Sequence, residues 1–521
     1  MNALRATSME TVSPYQRLVI TLVVMVCTIM QLLDTTIVNV ALPQMKGQLG
    51  ASPEQISWVL TSYVVAASIF MPLTGFFSDR IGIRNYLLLS IGGFTLTSML
   101  CGLSTTLNQI VLFRILQGVF GAALVPLSQM VLIQLYPIEE RARAMSIWGV
   151  GIMAGPILGP SLGGWLTENW SWHWTFFINI PVGILLLIMA WITMPSGSTR
   201  ARRMDWSGFA LMAIAVGSLQ LILDLGEHRD WFDSSLIRSF VVIGLVGLGG
   251  FIWHGLQRSE DPLFDLGIFR DRNFIAAVLM ITTMSLGFYG ATLLLPLMLV
   301  GSLHYSPMIT GLLMAPRGVV TIFSTLLAGR LMKFIDDRIV VAIGVVIIAF
   351  ASIPMTHYNL DTTPFLIMVP GLIQGLGLGF IFVPLSTMAY ATLAAHKVPE
   401  AAGVFSLIRS MGGSLGIAIL AGFTARHAQT AWTQLRAGIQ ETSPEFQHWQ
   451  QVTGFDADMA ESWKIIAGLL AEQSQMVAYV DAFNLILVVF LLMLPMLLIF
   501  RLNKAVVKSA DRKIDEPVEA L

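Results

Sequence analysis

The feature that most limits what this chain can fold into is a series of fourteen long apolar segments. Each is close to the length of about 20 residues that a helix needs to cross a bilayer. In lipid a backbone must satisfy its own hydrogen bonds, so segments of this kind predict membrane-spanning helices. The predicted spans are 18–41, 55–77, 86–104, 108–135, 143–165, 174–194, 207–225, 237–256, 274–300, 308–329, 339–356, 364–391, 400–424 and 479–500.

The composition agrees with an all-α polytopic membrane protein. Hydrophobic residues make up 55% of the chain and charged residues only 12%, against about 25% charged in an ordinary soluble domain. The net charge of −1 provides no basic field for a polyanion. The composition therefore excludes a disordered chain, a disulfide scaffold and a nucleic-acid-binding protein.

The distribution of lysine and arginine indicates the orientation of the spans. With the N-terminus in the cytoplasm, 21 of the 30 basic residues fall in cytoplasmic segments, six lie outside and three lie within spans. Because cytoplasmic loops carry the excess of positive charge, fourteen spans with both termini inside are favoured. This arrangement predicts a cytoplasmic N-terminus at 1–17, a cytoplasmic tail at 501–521 and one long outside loop at 425–478. That loop is interpreted either as short surface helices or as a partly ordered connector.

An internal repeat divides the spans into two sets. Span four contains Gln117-Gly118 followed by Val125-Pro-Leu-Ser128, and span twelve contains Gln374-Gly375 followed by Val383-Pro-Leu-Ser386. The copies are eight spans apart, which predicts two six-helix bundles, at 18–194 and 274–500, with helices seven and eight inserted at 195–273. Repeats of this kind are typical of alternating-access transporters.

Four sequence motifs carry a family resemblance. The loop after span two is similar to the G-x-x-x-D-R-x-G-x-R loop of the major facilitator superfamily. The glycines and prolines of span five resemble the antiporter motif of its drug exporters. Leu33-Asp-Thr-Thr-Ile-Val-Asn-Val-Ala-Leu-Pro43 and Trp172-His-Trp-Thr-Phe-Phe-Ile-Asn-Ile-Pro181 resemble the fourteen-span drug:proton antiporters of the EmrB/QacA type, and the EmrB group most closely. The loop residues are Gly75, Asp79, Arg80, Gly82 and Arg84, and those of span five are Gly151, Gly155, Pro156, Gly159, Pro160, Gly163 and Gly164.

The resemblance implies a major facilitator fold and the export of hydrophobic or amphipathic compounds in exchange for protons. It implies a bacterial inner-membrane location, and as partners a periplasmic adaptor of the EmrA kind and an outer-membrane channel of the TolC kind. No cofactor is expected, because the proton gradient would supply the energy. The alternative is a dedicated exporter of one metabolite, fatty acid or siderophore.

Asp34 is an acidic residue that lies well inside a predicted span. An ionisable residue within the membrane is costly and therefore marks a candidate functional site. Arg114 in span four lies at a similar predicted depth, so an ion pair with Asp34 is geometrically allowed. Burial favours a protonated carboxyl group, whereas a nearby guanidinium favours the ionised form. We expect this pair to couple proton binding to transport, with a static structural ion pair as the alternative; the resemblance supports the proton role.

Polar neighbours of this pair are candidates for lining a cavity. The side chains of Gln31, Asp34, Thr35 and Asn39 share one face of a helix, and Gln117 shares the face of Arg114. Arg317 and Arg409 lie nearer the middle of their spans. They are interpreted as cavity or substrate ligands for an anionic group, or as structural residues. One structural option is that Arg317 bonds a carbonyl freed by Pro316.

The two family motifs suggest movement between the bundles. The loop from Gly75 to Arg84 is expected to hold the bundles together on the cytoplasmic side. The alternative is that it acts on topology alone, through its positive charge. Its second-half counterpart, Gly329-Arg330 with Asp336-Asp337-Arg338, is degenerate, so no symmetric gating is expected. The span-five glycines are expected to form a hinge or to pack against a span of the other half.

Other chemistry finds no support in the sequence. The sequence has no G-x-x-x-x-G-K-[ST] phosphate loop, no Cys/His cluster with metal-ligand spacing and no nucleophile–base constellation. We therefore expect neither an enzyme nor a metal site. Asp224, at the outer end of span seven, is interpreted as a surface cap.

Overall fold

The computed structural model describes residues 12–500 except 196–198, 200–202, 258–265, 438, 440–446, 449–450 and 453–459. The predicted tail at 501–521 and most of the predicted N-terminus at 1–17 therefore lie outside the described residues. Within them, fourteen helices are long and apolar enough to cross a membrane, which confirms the predicted spans.

These helices are labelled α1 to α14 in chain order. Four of them are continued or interrupted by short turns. The first seven are α1 (Pro14–Leu49), α2 (Pro53–Phe70, continued by Met71–Leu73 and Thr74–Ile81), α3 (Ile83–Gly102), α4 (Leu107–Gly121 and Leu124–Leu135), α5 (Ile138–Asn169), α6 (Trp174–Phe177 and Asn179–Thr193) and α7 (Trp206–Leu225). The other seven are α8 (Ser235–Gln257), α9 (Arg272–Gly301), α10 (Pro307–Leu331), α11 (Asp337–Ser352), α12 (Pro364–Met388), α13 (Val398–Ala437) and α14 (Ala460–Leu491, continued by Met493–Met496 and Leu497–Ile499).

The helices pack as two groups. Within α1–α6 the largest contacts join α1 to α5, α2 to α4 and α3 to α4; within α9–α14 they join α10 to α12, α11 to α12 and α9 to α13. These groups are called the first bundle and the second bundle. Helices α7 and α8 pack on each other, and α7 also contacts α2 of the first bundle and α13 of the second.

The end of the molecule at which α1 begins is called the N-terminal face, and the other end the opposite face. Most close contacts between the bundles lie in the half nearer the N-terminal face. The Trp148 and Phe382 rings stack at 5.9 Å, and Tyr390 donates a hydrogen bond to Gln129 Oε1 at 3.0 Å. Toward the opposite face the contact between α5 and α10 is looser, since a side-chain carbon on Gly311 would lie 3.9 Å from Ser161 Oγ.

The structure differs from the prediction of one long outside loop at 425–478. Both ends of this segment are helical and not loop, because α13 continues to Ala437 and α14 begins at Ala460. Helix α13 has 40 residues, or about 60 Å at 1.5 Å per residue, whereas a bilayer core is about 30 Å thick. The apolar span predicted from the sequence is therefore only part of this helix, which continues past the opposite face.

The structure also differs from the prediction that the glycines of α5 pack against a span of the other half. Gly151, Gly155, Gly159 and Gly163 face α1 of the same bundle, not a helix of the other half. Residues four apart lie on one helical face, so the stripe occupies a single side of α5. Gly149, about 200° around the helix from Gly151, faces Thr325 of the second bundle instead.

The remaining motif positions of α5 play other parts. Pro156 and Pro160 lie inside one continuous helix. A side chain at Gly164 would meet no atom within 4 Å. The motif thus holds α1 and α5 together, while the opposite side of α5 forms the contact between bundles.

Candidate functional site

The site is built around Asp34, a fully buried carboxylate near the middle of α1. Its Oδ2 accepts a hydrogen bond from Arg114 Nη1 at 2.6 Å. Its Oδ1 accepts hydrogen bonds from Gln117 Nε2 and Asn179 Nδ2, both at 3.0 Å. Both carboxylate oxygens are thus bound by donors from α4 and α6, an arrangement that suits the ionised form.

Arg114 is held in turn by the first bundle. Its Nε donates to the carbonyl of Val59 at 3.0 Å, and its Nη1 also donates to Gln117 Oε1 at 2.9 Å. The guanidinium carbon lies 4.2 Å from the centre of the Tyr63 ring, within the range of a cation–π contact. Glycine makes this approach of α2 and α4 possible, because a side-chain carbon on Gly118 would lie 2.5 Å from the Tyr63 carbonyl.

The other polar residues of α1 divide into two kinds. Gln31 is buried and donates to the Tyr63 hydroxyl at 3.2 Å, so it belongs to the site. Thr35 and Asn39 do not join it: Thr35 bonds to the carbonyl of Leu32, and the exposed Asn39 bonds to that of Thr35. The stripe predicted from the sequence therefore contributes Gln31 and Asp34 only.

Asn179 and Tyr63 complete the site, and the sequence reasoning assigned a role to neither. Asn179 also donates to Ser98 Oγ at 3.0 Å, which fixes its amide between α1 and α3. Asn179 could have been found from the sequence, because it is an amide residue at the start of an apolar span. It also lies within the Trp172–Pro181 motif that resembles the EmrB group. Tyr63 carried no signal, because an aromatic residue in an apolar helix is ordinary.

The second bundle repeats the helix packing around this site but has different side chains at the equivalent positions. Glycines in equivalent positions reveal the register: Gly118 packs on the backbone of Tyr63, and Gly375 packs on that of Arg317. Gly155 likewise packs on Leu32 and Gly416 on Leu286.

This register pairs three members of the first site with residues of the second bundle. Arg317 stands where the first bundle has Tyr63, Phe288 where it has Asp34, and Gly371 where it has Arg114.

At the equivalent place the second bundle carries two buried cations, Arg317 and Arg409. Arg317 is buried and lies with its guanidinium carbon 5.2 Å from the centre of the Phe288 ring. Arg409, also buried, donates to the Tyr289 hydroxyl at 3.4 Å. Among the described residues neither arginine has a carboxylate partner, and Arg317 makes no hydrogen bond to the backbone near Pro316.

The loop from Gly75 to Arg84 lies against α13. A side-chain carbon on Gly75 would come within 2.8–3.0 Å of Glu400, and Gly82 has φ +84°, which favours glycine. Arg80 lies over the Phe76 ring at 5.9 Å, whereas Asp79 lies in the final turn before Gly82.

Two positions of this loop recur in the second bundle although its charges differ. Arg84 donates to the carbonyl of Trp191 at 2.6 Å, near the end of α6. Arg338 donates to the carbonyl of Phe500, just beyond α14. A side chain on Gly329 would contact Ser146 of the first bundle, as one on Gly75 would contact Glu400 of the second. The degenerate motif thus keeps the glycine contact across the bundles and the arginine that binds the end of the sixth helix.

Comparison with known proteins places this architecture in a family. The sequence model of the Major Facilitator Superfamily matches residues 24–417. The chain belongs to the major facilitator superfamily. It is therefore a multi-pass membrane transporter and not an enzyme. The family resemblance drawn from the four motifs is confirmed.

Curated members of the superfamily resemble the chain over most of its length. Probable multidrug resistance protein EmrY of Escherichia coli K12 is 33% identical over 91% of this chain and 93% of its own. Multidrug export protein EmrB of the same strain is 32% identical over 92% and 94%. Fatty acid resistance protein FarB of Neisseria gonorrhoeae is 36% identical over 77% and 79%. These relatives support multidrug efflux by a major facilitator transporter.

Solved structures of the superfamily share the fold. The human organic anion transporter MFSD10 aligns with a TM-score of 0.58 at 14% identity, covering 92% of this chain and 100% of its own. At this identity the likeness bears on the fold alone.

Proposed function

We propose that this transporter exports hydrophobic or amphipathic compounds in exchange for protons, with Asp34 as the carboxylate that binds and releases the proton. The observation that carries the proposal is the fully buried Asp34–Arg114 pair, whose atoms are 2.6 Å apart. A charged pair within a membrane is costly, so its presence marks a functional site by default. The export functions in the names of EmrB and EmrY agree with this role.

The proposed coupling depends on which helices hold each partner. Arg114 is fixed to α2 through the Val59 carbonyl and the Tyr63 ring, whereas Asp34 belongs to α1 and is bound by Asn179 of α6. A shift of α4 and α2 relative to α1 would lengthen the ion pair. Without the guanidinium, the buried carboxyl group favours its protonated form. Proton binding and the position of α4 are therefore linked.

The direction of transport follows from the orientation proposed for the chain. The excess of basic residues favours a cytoplasmic N-terminal face and cytoplasmic termini. The contacts between the bundles near that face then close the cytoplasmic side, and Gly75 and Gly329 let the two bundles approach there. This corresponds to an outward-facing state, in which a drug leaves and a proton enters.

The proposed setting is the inner membrane of a bacterium, with the proton gradient in place of any cofactor. As partners we propose a periplasmic adaptor of the EmrA kind and an outer-membrane channel of the TolC kind. The support is the EmrB-type sequence and the extension of α13 and α14 beyond the opposite face. Such an extension provides a helical surface on the periplasmic side.

The experiment measures substrate-induced proton release in acidified everted vesicles with a panel of unrelated lipophilic compounds. Wild type is compared with Asp34→Asn, and with Asn39→Ala as a control at an exposed residue of the same helix. We expect several compounds to release protons in wild type and the control, and none in Asp34→Asn. Undiminished release in a correctly inserted Asp34→Asn would refute the proton role.

A second candidate function is a dedicated exporter of anionic amphiphiles, such as fatty acids. It is favoured by Arg317 and Arg409, two buried cations that have no carboxylate partner in the part of the chain that the structure describes. They lie beside the Phe288 and Tyr289 rings, whose centres are 5.1 Å apart. Guanidinium groups bind carboxylates well, and the rings offer an apolar wall. The name of FarB concerns fatty acids and agrees with this candidate.

A matched set of ligands separates the two candidates. Export of a fatty acid is compared with that of its alcohol and amine of equal chain length, in wild type, Arg317→Gln and Arg409→Gln. A dedicated anion exporter moves the acid alone and loses it in the arginine variants. A multidrug exporter moves all three, and the arginine variants affect at most the acid.

A further inference from the structure

A second polar cluster lies between α2, α7 and α13, apart from the Asp34 site. Its centre is Gln220, which is fully buried on α7. Its Nε2 donates to Ser414 Oγ at 2.8 Å and to Asp224 Oδ1 at 2.9 Å, while its Oε1 accepts from Ser68 at 3.5 Å. Ser68 belongs to the first bundle and Ser414 to the second, so one amide of the inserted helix joins both bundles.

Asp224 is part of this cluster and not the surface cap predicted from the sequence. The residue is partly buried, and besides Gln220 its carboxyl group has the Thr61 hydroxyl of α2 as a hydrogen-bonding neighbour. Both hydrogens of the Gln220 amide are directed to acceptors, one of them this carboxylate. Asp224 therefore meets the first bundle directly and the second through Gln220.

No cation neutralises Asp224 among the described residues. No ion pair joins Asp224 to a charged or titratable group on the elements packed against α7 in the described part of the chain. Several of these groups have other partners: Glu54 is bonded to Ser52, His254 to Asp205, and Glu227 to Trp231. The full set is Glu54, Tyr63, Asp79 and Arg80 on α2; Arg238 and His254 on α8; Glu400, Arg409, Arg426, His427 and Arg436 on α13; and Glu227, Arg229, Asp230 and Asp233 in the turns after α7.

Protonation of Asp224 changes what Gln220 can do. The ionised carboxylate accepts the Gln220 amide hydrogen in a charge-assisted bond, whereas the neutral acid gains a donor and is a weaker acceptor. One of the two bonds that fix the orientation of the amide is then weaker, and its bond to Ser414 loses support. Because a buried polar group without its partner is costly, the bridge between bundles and the charge of Asp224 depend on each other.

We propose that Asp224 is a second proton-binding carboxylate, whose protonation is linked through Gln220 to the separation of the two bundles. This inference rests on the alternating access of the proposed function but not on proton exchange at Asp34. It gives the inserted helix α7 a role, because this helix brings an acid and an amide to the boundary that moves. The ionised form favours the bridged arrangement seen here, and the protonated form favours its release.

The experiment follows the distance between the bundles as a function of pH without any substrate. Spin labels are placed at Leu103→Cys in the first bundle and Met308→Cys in the second, both exposed near the opposite face. The native Cys27 and Cys101 are buried, so labelling is selective. Distances are measured by double electron–electron resonance in lipid nanodiscs, starting from an Asp34→Asn background in which that site cannot titrate.

We expect Asp34→Asn to retain one pH-dependent change of distance and Asp34→Asn/Asp224→Asn to show none. Asp34→Asn/Asp233→Asn serves as the matched control, because Asp233 is an exposed acid in the turns after α7, and it should behave as Asp34→Asn. Ser414→Ala in the Asp34→Asn background should keep the titration but increase the population with separated bundles. Asp34→Asn/Asp224→Glu should restore a titration, which separates lost proton binding from a folding defect.

Two results would overturn the proposal. One is an unchanged pH-dependent transition in Asp34→Asn/Asp224→Asn; the other is its complete loss in Asp34→Asn alone. Both results are distance measurements that do not involve drug export. A chain that keeps the Asp224-dependent transition but exports nothing would contradict the proposed function and leave this inference standing.

Discussion

At the residue scale, the ionised state of Asp34 is supported by three hydrogen bonds, two of them from neutral amides. Gln117 and Asn179 each donate to Oδ1 at 3.0 Å. A hydrogen bond to a charged group contributes about 1.5–3 kcal/mol, so each amide helps to hold the charge of Asp34 inside the bundle.

Removing one of these amides should move the pH profile of export. In Asn179→Leu or Gln117→Leu the ionised carboxylate loses a donor, so the proton is held more tightly and released only at higher pH. We expect the midpoint of the profile, measured in everted vesicles, to move to higher pH. Thr35→Val is the control, since Thr35 bonds only to its own helix. An unmoved midpoint in both leucine variants would contradict this account.

The sequence predicted part of this site for a physical reason. Asp34 and Arg114 stand out because charge in a membrane is costly, and helix periodicity placed Gln117 beside Arg114. Asn179 was missed because its approach depends on how α6 crosses α1, which one span does not encode. Gln220 was missed and Asp224 was interpreted as a surface cap for the same reason, since the position of the inserted helices follows from tertiary packing.

At the element scale, the α5 stripe shows which packing information a single helix carries. The spacing of Gly151, Gly155, Gly159 and Gly163 predicted a close helix crossing, and the structure has one. It could not specify the neighbour, because any helix with a matching surface fits such a stripe. The neighbour is α1, the helix that carries Asp34.

A bulky side chain in this stripe should disturb the site through α1. In Gly155→Val the added carbon would lie 2.6 Å from Leu32 Cβ, two residues before Asp34. Overpacking of this kind costs about 1–3 kcal/mol, so we expect lower thermal stability in detergent and loss of export. Gly164→Val is the matched control in the same helix, because nothing lies within 4 Å of its added carbon. Equal behaviour of the two variants would argue against the α1–α5 contact.

The start of α7 offers a pH-dependent test outside the membrane. Burial opposes the charge of Asp205, but hydrogen bonds from the Gly208 N–H, Ser207 and His254 outweigh it and lower the pKa of Asp205. The ionised carboxylate therefore stabilises the fold. This contribution is complete above the ordinary pKa of an aspartate and is lost as the pH falls through the lowered value.

Loss of this N-cap should therefore depend on pH. We expect Asp205→Ala to reduce the free energy of unfolding by about 1 kcal/mol at neutral pH and by less in acid. Asp205→Asn retains a good cap and should lie between wild type and Asp205→Ala at neutral pH. Thermal unfolding measured at several pH values compares the three proteins. If Asp205→Ala lost more unfolding free energy relative to wild type in acid than at neutral pH, the result would contradict a lowered pKa of Asp205.

At the scale of the whole molecule, the two bundles meet near the N-terminal face through contacts that any opening there must break. The hydrogen bond from Tyr390 to Gln129 and the stacking of Trp148 on Phe382 both join the first bundle to the second. The state described here is therefore one arrangement of two bodies, and its population depends on a small number of such contacts.

Tyr390→Phe should favour opening of this face. The change removes one hydrogen bond and leaves the buried Gln129 oxygen without its partner, at a cost of about 1–3 kcal/mol. We expect the open population to rise roughly tenfold, as 1.4 kcal/mol corresponds to a factor of ten. Spin labels at the exposed Asn85 and Phe334 would report it as a longer distance. Phe365→Leu, at an exposed position far from this contact, should leave the distribution unchanged.

The unequal charges of the two bundles have a consequence for how resistance would evolve under drug selection. If an ancestral half was duplicated, one copy specialised in energy conversion, with Asp34 and Arg114, and the other in recognition, with Arg317 and Arg409. Changes in the second copy can then alter the range of compounds while the energy-converting copy stays intact. Selected variants with new drug profiles should accordingly accumulate on α9, α10 and α13, and variants that uncouple the pump on α1, α4 and α6.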